Sequence, residues 1–210
     1  MLTVDFARYA PLSDIMYHYM GTETFCYEWT DNRDEVLKLA EALADLRRKR
    51  LDIVAKGPCE VVICDANLVP QIIGAENFTK YFLPDYEEAV DLMHKHGKLV
   101  GSHFDADNTP VMDLIAKTGF DFINAYDIGF GPPVKDARKA WPGKALWLNF
   151  PCAWHLLPTE EIVKKTTQLV EEAEPGNGFI IGITETVPAD RLLQNFKAIM
   201  DGIDEYANRR

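Results

Sequence analysis

The sequence predicts an α/β protein built on a parallel sheet, and two observations carry that prediction. Short β-rich, largely apolar runs recur as "TVDFARY" (3–9), "EVVICDA" (60–66), "KLVGSHF" (98–104), "FDFINAYD" (120–127), "ALWLNFP" (145–151) and "FIIGITE" (179–185), each followed by a segment able to form a helix. The runs also end repeatedly in polar groups: Asp65, His103 with Asp105, Tyr126 with Asp127, Asn149, and Glu185. Strands that are apolar nearly throughout and alternate with helices belong to a parallel sheet covered on both faces. In a (β/α) barrel the C-terminal strand ends share one mouth, where catalytic groups gather. A dinucleotide-binding sheet would need a G-x-G-x-x-G turn after an early strand, and the sequence has none. The expected architecture is therefore a TIM-type (β/α) barrel, incomplete, with about six of the eight strand–helix units that closure needs.

The helices follow from periodicity and punctuation. Asn32 to Lys56 carries Val36, Leu37, Leu39, Leu43 and Leu46 among charged residues, an amphipathic pattern opened by Asp31 or Asn32 as cap. Tyr86 to Lys95 follows Pro84 and stops at Gly97. Pro110 to Lys117 stops at Gly119, Thr159 can cap a helix running to about Glu174, and Leu192 to Tyr206 closes the chain.

Length and composition set further limits. A chain of 210 residues, 47% hydrophobic and 26% charged, can bury a full core as one globular domain, 1–210. The formal charge of −11 argues against nucleic acid and anionic membranes as partners, since both reward a positive surface. It also makes a highly anionic substrate awkward unless arginines are concentrated locally. Cys26, Cys59, Cys64 and Cys152 show no C-x-x-C spacing, which disfavours a disulfide framework or zinc ribbon. Nothing in the opening residues reads as a secretory leader, so the cytoplasm is the expected compartment. No apolar stretch approaches the roughly 20 residues of a membrane span.

Four stretches carry a family resemblance: "FARYAPLSDIMYHYMG" (6–21), "NFTKYFLPDYEEAVDLMHKHGKLVGSH" (77–103), "LIAKTGFDFINAYD" (114–127) and "GFIIGITETVPADRLLQNFKAIMDGI" (178–203). In shared order and spacing they resemble the C-terminal two-thirds of the uroporphyrinogen decarboxylase superfamily, which includes the methylcobamide:coenzyme M methyltransferases. Members are closed (β/α) barrels, so the resemblance implies that this chain lacks the family's N-terminal arm and first strands.

What the resemblance implies for chemistry is carried residue by residue. In "APLSDIMYHYMG", Tyr17 falls at an active-site tyrosine of the decarboxylases, although Leu12 and Ser13 replace the Trp and Thr of their turn. The decarboxylases' essential aspartate and propionate-binding arginines belong to the portion absent here, and their C-terminal catalytic histidine corresponds to Glu185. The methyltransferase branch holds zinc through a His-x-Cys pair and a later Cys. His103 matches the histidine, while Asp105 and Glu185 stand at the two cysteines. Imidazole and carboxylates remain a reasonable ligand set for a divalent metal, zinc among the candidates.

The resemblance thus implies an enzyme. In the first reading Tyr17, His103 and Glu185 are catalytic, His103, Asp105 and Glu185 hold a metal that activates a methyl acceptor, and Asp65, Tyr126 and Asn149 bind a small-molecule substrate. The methyl transfer involves a corrinoid-carrying protein as partner or a small methylated substrate. The alternatives are a carboxy-lyase, a uroporphyrinogen decarboxylase of porphyrin biosynthesis complete only with upstream residues, and a non-catalytic truncated barrel acting as a homodimeric binding module. The residues also carry plainer readings. His103 can donate to a carbonyl at a strand end, Asp105 or Asp107 can be a turn residue or cap, and Glu185 can pair with Arg191. Cys152 and His155 in "NFPCAWH" admit a Cys-His nucleophile, with no third orienting residue readable. Trp147 and Trp154 read as packing residues or pocket walls, and Glu171, Glu172 and Glu174 as a solvated helix face.

Overall fold

A computed structural model describes residues 4–7, 9–65, 67–183 and 186–209, with Val4 to Phe6 described by backbone alone. Six strands lie in one parallel sheet in chain order: β1 (Val4–Phe6), β2 (Val61–Ile63), β3 (Leu99–His103), β4 (Phe122–Asp127), β5 (Ala145–Asn149) and β6 (Phe179–Gly182). All six expected strands form, each shorter than its apolar run. Among the described residues β1 and β6 are the two ends of the sheet and do not pair, so it is an open arc of a barrel.

The helices are α1 (Pro11–Asp14), α2 (Thr22–Asp31), α3 (Arg33–Lys56), α4 (Pro70–Asn77), α5 (Leu83–Lys95), α6 (Met112–Lys117), α7 (Val134–Ala140), α8 (Thr159–Glu172) and α9 (Leu192–Asn208). Two π-helical turns, Ile15–Met20 and Phe78–Phe82, extend α1 and lead into α5. Three of the predicted boundaries need local correction. Asn32 precedes α3, but its amide donates back to Glu28 at 2.8 Å and caps nothing. Thr159 is the first residue of α8, and Pro158 takes the cap position. The helix expected from Pro110 begins as a 3₁₀ turn, Thr109–Val111. Gly97 does end α5, with a φ of 69° that a side chain would oppose.

The two faces of the sheet differ in character. Val62, Cys64, Val100, Ile123, Leu146 and Leu148 point outward into the main core, where they meet Tyr86, Met93, Ile115, Ile162 and other buried helix residues. Burial of this apolar surface is the main stabilising term. The inward face holds a much smaller cluster of Val61, Ile63 and Phe122 with Ala145 and Trp147 against it. Glycine makes this inner layer possible: a Cβ on Gly101 would sit 2.4 Å from the Phe122 carbonyl oxygen, and one on Gly182 2.5 Å from the Trp147 indole nitrogen. On the same inward face Leu99 of β3 is 53% and Ile180 of the edge strand β6 49% exposed. Trp147 faces Phe122 and Trp154 packs edge-on against Phe150, both as expected of packing residues. No described helix is long and apolar enough to cross a membrane.

Candidate active site at the strand ends

The connections that leave β1, β2, β3 and β4 surround a cavity of about 730 Å³ whose wall includes Tyr17, Asn67, Asp105, Asp107, Gly129 and Phe130. A parallel sheet in chain order brings these four loops to one end without any sequence-local signal. A second hollow of about 380 Å³ lies between α3 and α5. It is lined by Ala10, Leu12, Leu37, Ala40 and Tyr81 on the helix side of the sheet, and its Arg48 and Glu88 are engaged with each other at 2.7 Å. The mouth is therefore where chemistry is to be expected.

His103 is the last residue of β3 and its register partner on β4 is Asn124. The ring Nδ1 lies 2.8 Å from Asn124 Oδ1, and Nε2 lies 3.4 Å from Asp105 Oδ2. The His103 and Asp105 side chains are 23% and 36% exposed, so a small solute can reach both. A separation of 3.4 Å is long for a charge-assisted hydrogen bond, which is about 2.7–2.9 Å. It matches the distance between two ligands of one tetrahedral ion, roughly 3.3 Å when each bond is about 2.0–2.1 Å. The donor types and spacing thus fit two ligands of a divalent cation. No group of three or more His, Cys, Asp or Glu side chains placed to hold a metal occurs among the described residues. The expected third ligand, Glu185, lies outside the described residues.

Tyr17 lies in the π-helical turn after α1 and donates to the Asn67 carbonyl. Burial, then the negative charges of Asp65 and Asp105, push its phenol up to about 12, so it keeps its proton across the physiological range. Asp107 does what a turn residue should: its carboxylate accepts the Thr109 amide at 3.0 Å.

Two expected substrate-binding residues are corrected by their surroundings. Asp65 is fully buried, and its carboxylate accepts hydrogen bonds from the Ala10 amide (2.9 Å), the Ser13 hydroxyl (3.3 Å) and the Tyr86 hydroxyl (2.7 Å). It ties the end of β2 to α1 and α5 and takes no part in the cavity. Tyr126 is also fully buried and packs edge-on against Trp141, in the layer outside the sheet. The cause is a β-bulge: Ala125 adopts a φ of 51°, and the pairing of β4 with β5 slips between Asn124 and Tyr126. A bulge re-aims the side chains that follow it. Asn124 faces inward before it, Tyr126 turns outward, and Asp127 turns inward beside Asn149.

Asn149, the third expected substrate contact, is nearly fully buried and donates to Asp127 Oδ2 at 3.2 Å, while Asp127 Oδ1 accepts the Gly129 amide at 2.6 Å. The pair braces the β4 and β5 ends; neither it nor His103 lines the cavity, which His103 adjoins through Asp105. Cys152 is exposed whereas His155 is fully buried. Asn195 approaches the His155 ring at 3.3 Å, and among the described residues no hydrogen bond joins the cysteine to the histidine. The opposite exposure of the two side chains gives the nucleophile reading of that pair no support. Asn124 is the residue that sequence reasoning missed. A lone amide inside the apolar run "FDFINAYD" is the signal that marks it.

Comparison with known proteins agrees with this architecture. Two curated uroporphyrinogen decarboxylases are similar, one from Anaeromyxobacter dehalogenans (strain 2CP-C), 23% identical over 134 residues, and one from Anaeromyxobacter sp. (strain Fw109-5), 24% over 132. The matches cover 64% and 63% of this chain but only 38% and 36% of those relatives. A methyltransferase from Methanosarcina mazei superposes with a TM-score of 0.72 at 16% identity, over 97% of this chain and 58% of the other. That likeness bears on the fold, an incomplete α/β barrel. Residues 9–206 match the family model described as uroporphyrinogen decarboxylase (URO-D), and the chain therefore belongs to the uroporphyrinogen decarboxylase family.

Proposed function

We propose that this chain belongs to an enzyme of metal-assisted methyl transfer, with a corrinoid protein or a small methylated compound as methyl donor. The observation that carries the reading is the 3.4 Å separation of His103 Nε2 and Asp105 Oδ2, which suits a shared cation better than a hydrogen bond. Glu185 is proposed as the further ligand and catalytic group. A divalent ion held there supplies Lewis acidity, lowering the pKa of a bound thiol, water or alcohol. His103 contributes a neutral nitrogen, Asp105 offsets positive charge, and Tyr17, still protonated, forms a polar wall beside Asp105. Asp105 and Asp107 give the cavity negative charge, and its described wall contains no lysine or arginine, which weighs against a polycarboxylate substrate such as a porphyrinogen.

The test is elemental analysis of protein purified after zinc or cobalt supplementation. Wild type is expected to retain about one divalent ion per chain, in keeping with a specific ligand set, and His103→Ala to lose it. Equal absence of metal from both would sink the reading. Methyl transfer from methylcobalamin to a thiol, present in wild type and absent from His103→Ala, is the accompanying activity readout.

A further inference from the structure

We propose that Asn124 is a positioning residue: it fixes His103 as the Nδ1–H tautomer and so directs the Nε2 lone pair toward the cation position beside Asp105. The geometry is a cross-strand contact between register partners on β3 and β4, with Nδ1 and Oδ1 2.8 Å apart. An amide oxygen has lone pairs and no proton, so the proton of this bond belongs to Nδ1. A free neutral imidazole favours the proton on Nε2, so Asn124 reverses the ring's own preference.

The placement is held from both sides. His103 N–H donates to the Asp65 carbonyl at 3.0 Å, and Phe104 N–H to the Asn124 carbonyl at 2.9 Å, pinning the backbone of β3 beside both residues. Asn124 itself is 5% exposed, and the left-handed Ala125 immediately after it makes Asn124 the last inward residue before the bulge. With the proton on Nδ1, Nε2 and Asp105 Oδ2 present lone pairs to each other across 3.4 Å. A doubly protonated ring would instead pair with Asp105 through Nε2–H, so the lone pair is offered to a metal only by the neutral ring. The consequence for cation binding rests on the metal reading above, whereas the tautomer stands on the hydrogen bond alone.

The experiment uses the 210-residue chain labelled with [¹⁵N]histidine. Long-range ¹H–¹⁵N correlation at alkaline pH, without metal, shows which ring nitrogen carries the proton, and the signals absent from His103→Gln identify His103. Wild type is expected to show Nδ1–H, Asn124→Ala to revert to Nε2–H, and Asn124→Asp, which can only accept, to restore Nδ1–H. In competition with a chromogenic chelator, zinc affinity should fall roughly 10- to 100-fold in Asn124→Ala and recover in Asn124→Asp. An Nε2–H tautomer in wild type overturns the proposal, and so does an unchanged Nδ1–H in Asn124→Ala. If Asn124→Ala does not fold, the wild-type and Asn124→Asp spectra still decide. Should the tautomer switch as expected while neither wild type nor Asn124→Asp binds zinc, the positioning role holds and the metal reading fails.

Discussion

Asp65 after β2 and Asp105 after β3 are alike in sequence, each a carboxylate just beyond an apolar strand, and the fold treats them in opposite ways. Asp65 is fully buried and accepts from an amide and two hydroxyls, so its negative charge is taken up in holding α1 and α5 to the strand end. Asp105 remains partly exposed, facing an imidazole nitrogen at a distance that leaves room for a third party. A buried carboxylate survives only when its lone pairs are satisfied, and one so satisfied has little left with which to bind a solute. A carboxylate in the cavity wall retains that capacity. Strand-end position marks both; only the company each keeps separates structure from chemistry.

The contrast can be broken first at Asp65. Asp65→Ala strands a buried tyrosine hydroxyl, a serine hydroxyl and a backbone amide, and should cost about 3 kcal/mol or more, read as a lower urea midpoint. Asp105→Ala, compared with wild type after both are stripped of metal by a chelator, should stay within about 0.5 kcal/mol, while as purified it should lack the retained metal. If the two substitutions destabilise equally, the division of roles is wrong.

Asp105→Cys sharpens the comparison at the other end. It restores the His-x-Cys pattern that the family resemblance implies, and a thiolate should hold zinc roughly tenfold more tightly than the carboxylate, measured by chelator competition. A drop in zinc affinity would mean that position 105 does not face the ion.

The smallest effect is expected from Tyr17, which feels both carboxylates. Its phenol is held at about 12 in the folded chain against an ordinary 10.0. The stability this contributes is complete below the ordinary value and is lost as pH rises through the folded one. Tyr9, Tyr86 and Tyr126 are raised in the same direction. Tyr17→Phe should therefore flatten, without abolishing, the loss of thermal stability between roughly pH 10 and 12. An unchanged alkaline limb would remove Tyr17 from the field of Asp65 and Asp105.

Much of this architecture is legible in the amino-acid sequence. Parallel strands buried on their outer face read as apolar runs such as "EVVIC" and "ALWLN", and the intervening helices carry their own periodicity and stops, Gly97 among them. His103 and Asp105 are legible as a pair because they sit two residues apart at one strand end. Tyr126 misleads because alternation along β4 is interrupted at Ala125, and alanine gives no warning of a left-handed residue. Asp65 misleads because its partners Ala10 and Ser13 lie 55 and 52 positions away.

By itself, the sequence determined that six parallel strands alternate with helices and which strand ends carry polar groups, because hydrophobic periodicity and turn chemistry act locally. Tertiary structure alone decided which of those polar groups are consumed by the fold. The bulge at Ala125 chooses between Tyr126 and Asp127, and strand register brings Asn124 to His103. Contacts from α1 and α5 saturate Asp65. These outcomes depend on which groups meet across the sheet, and desolvation makes each meeting either a satisfied bond or a cost.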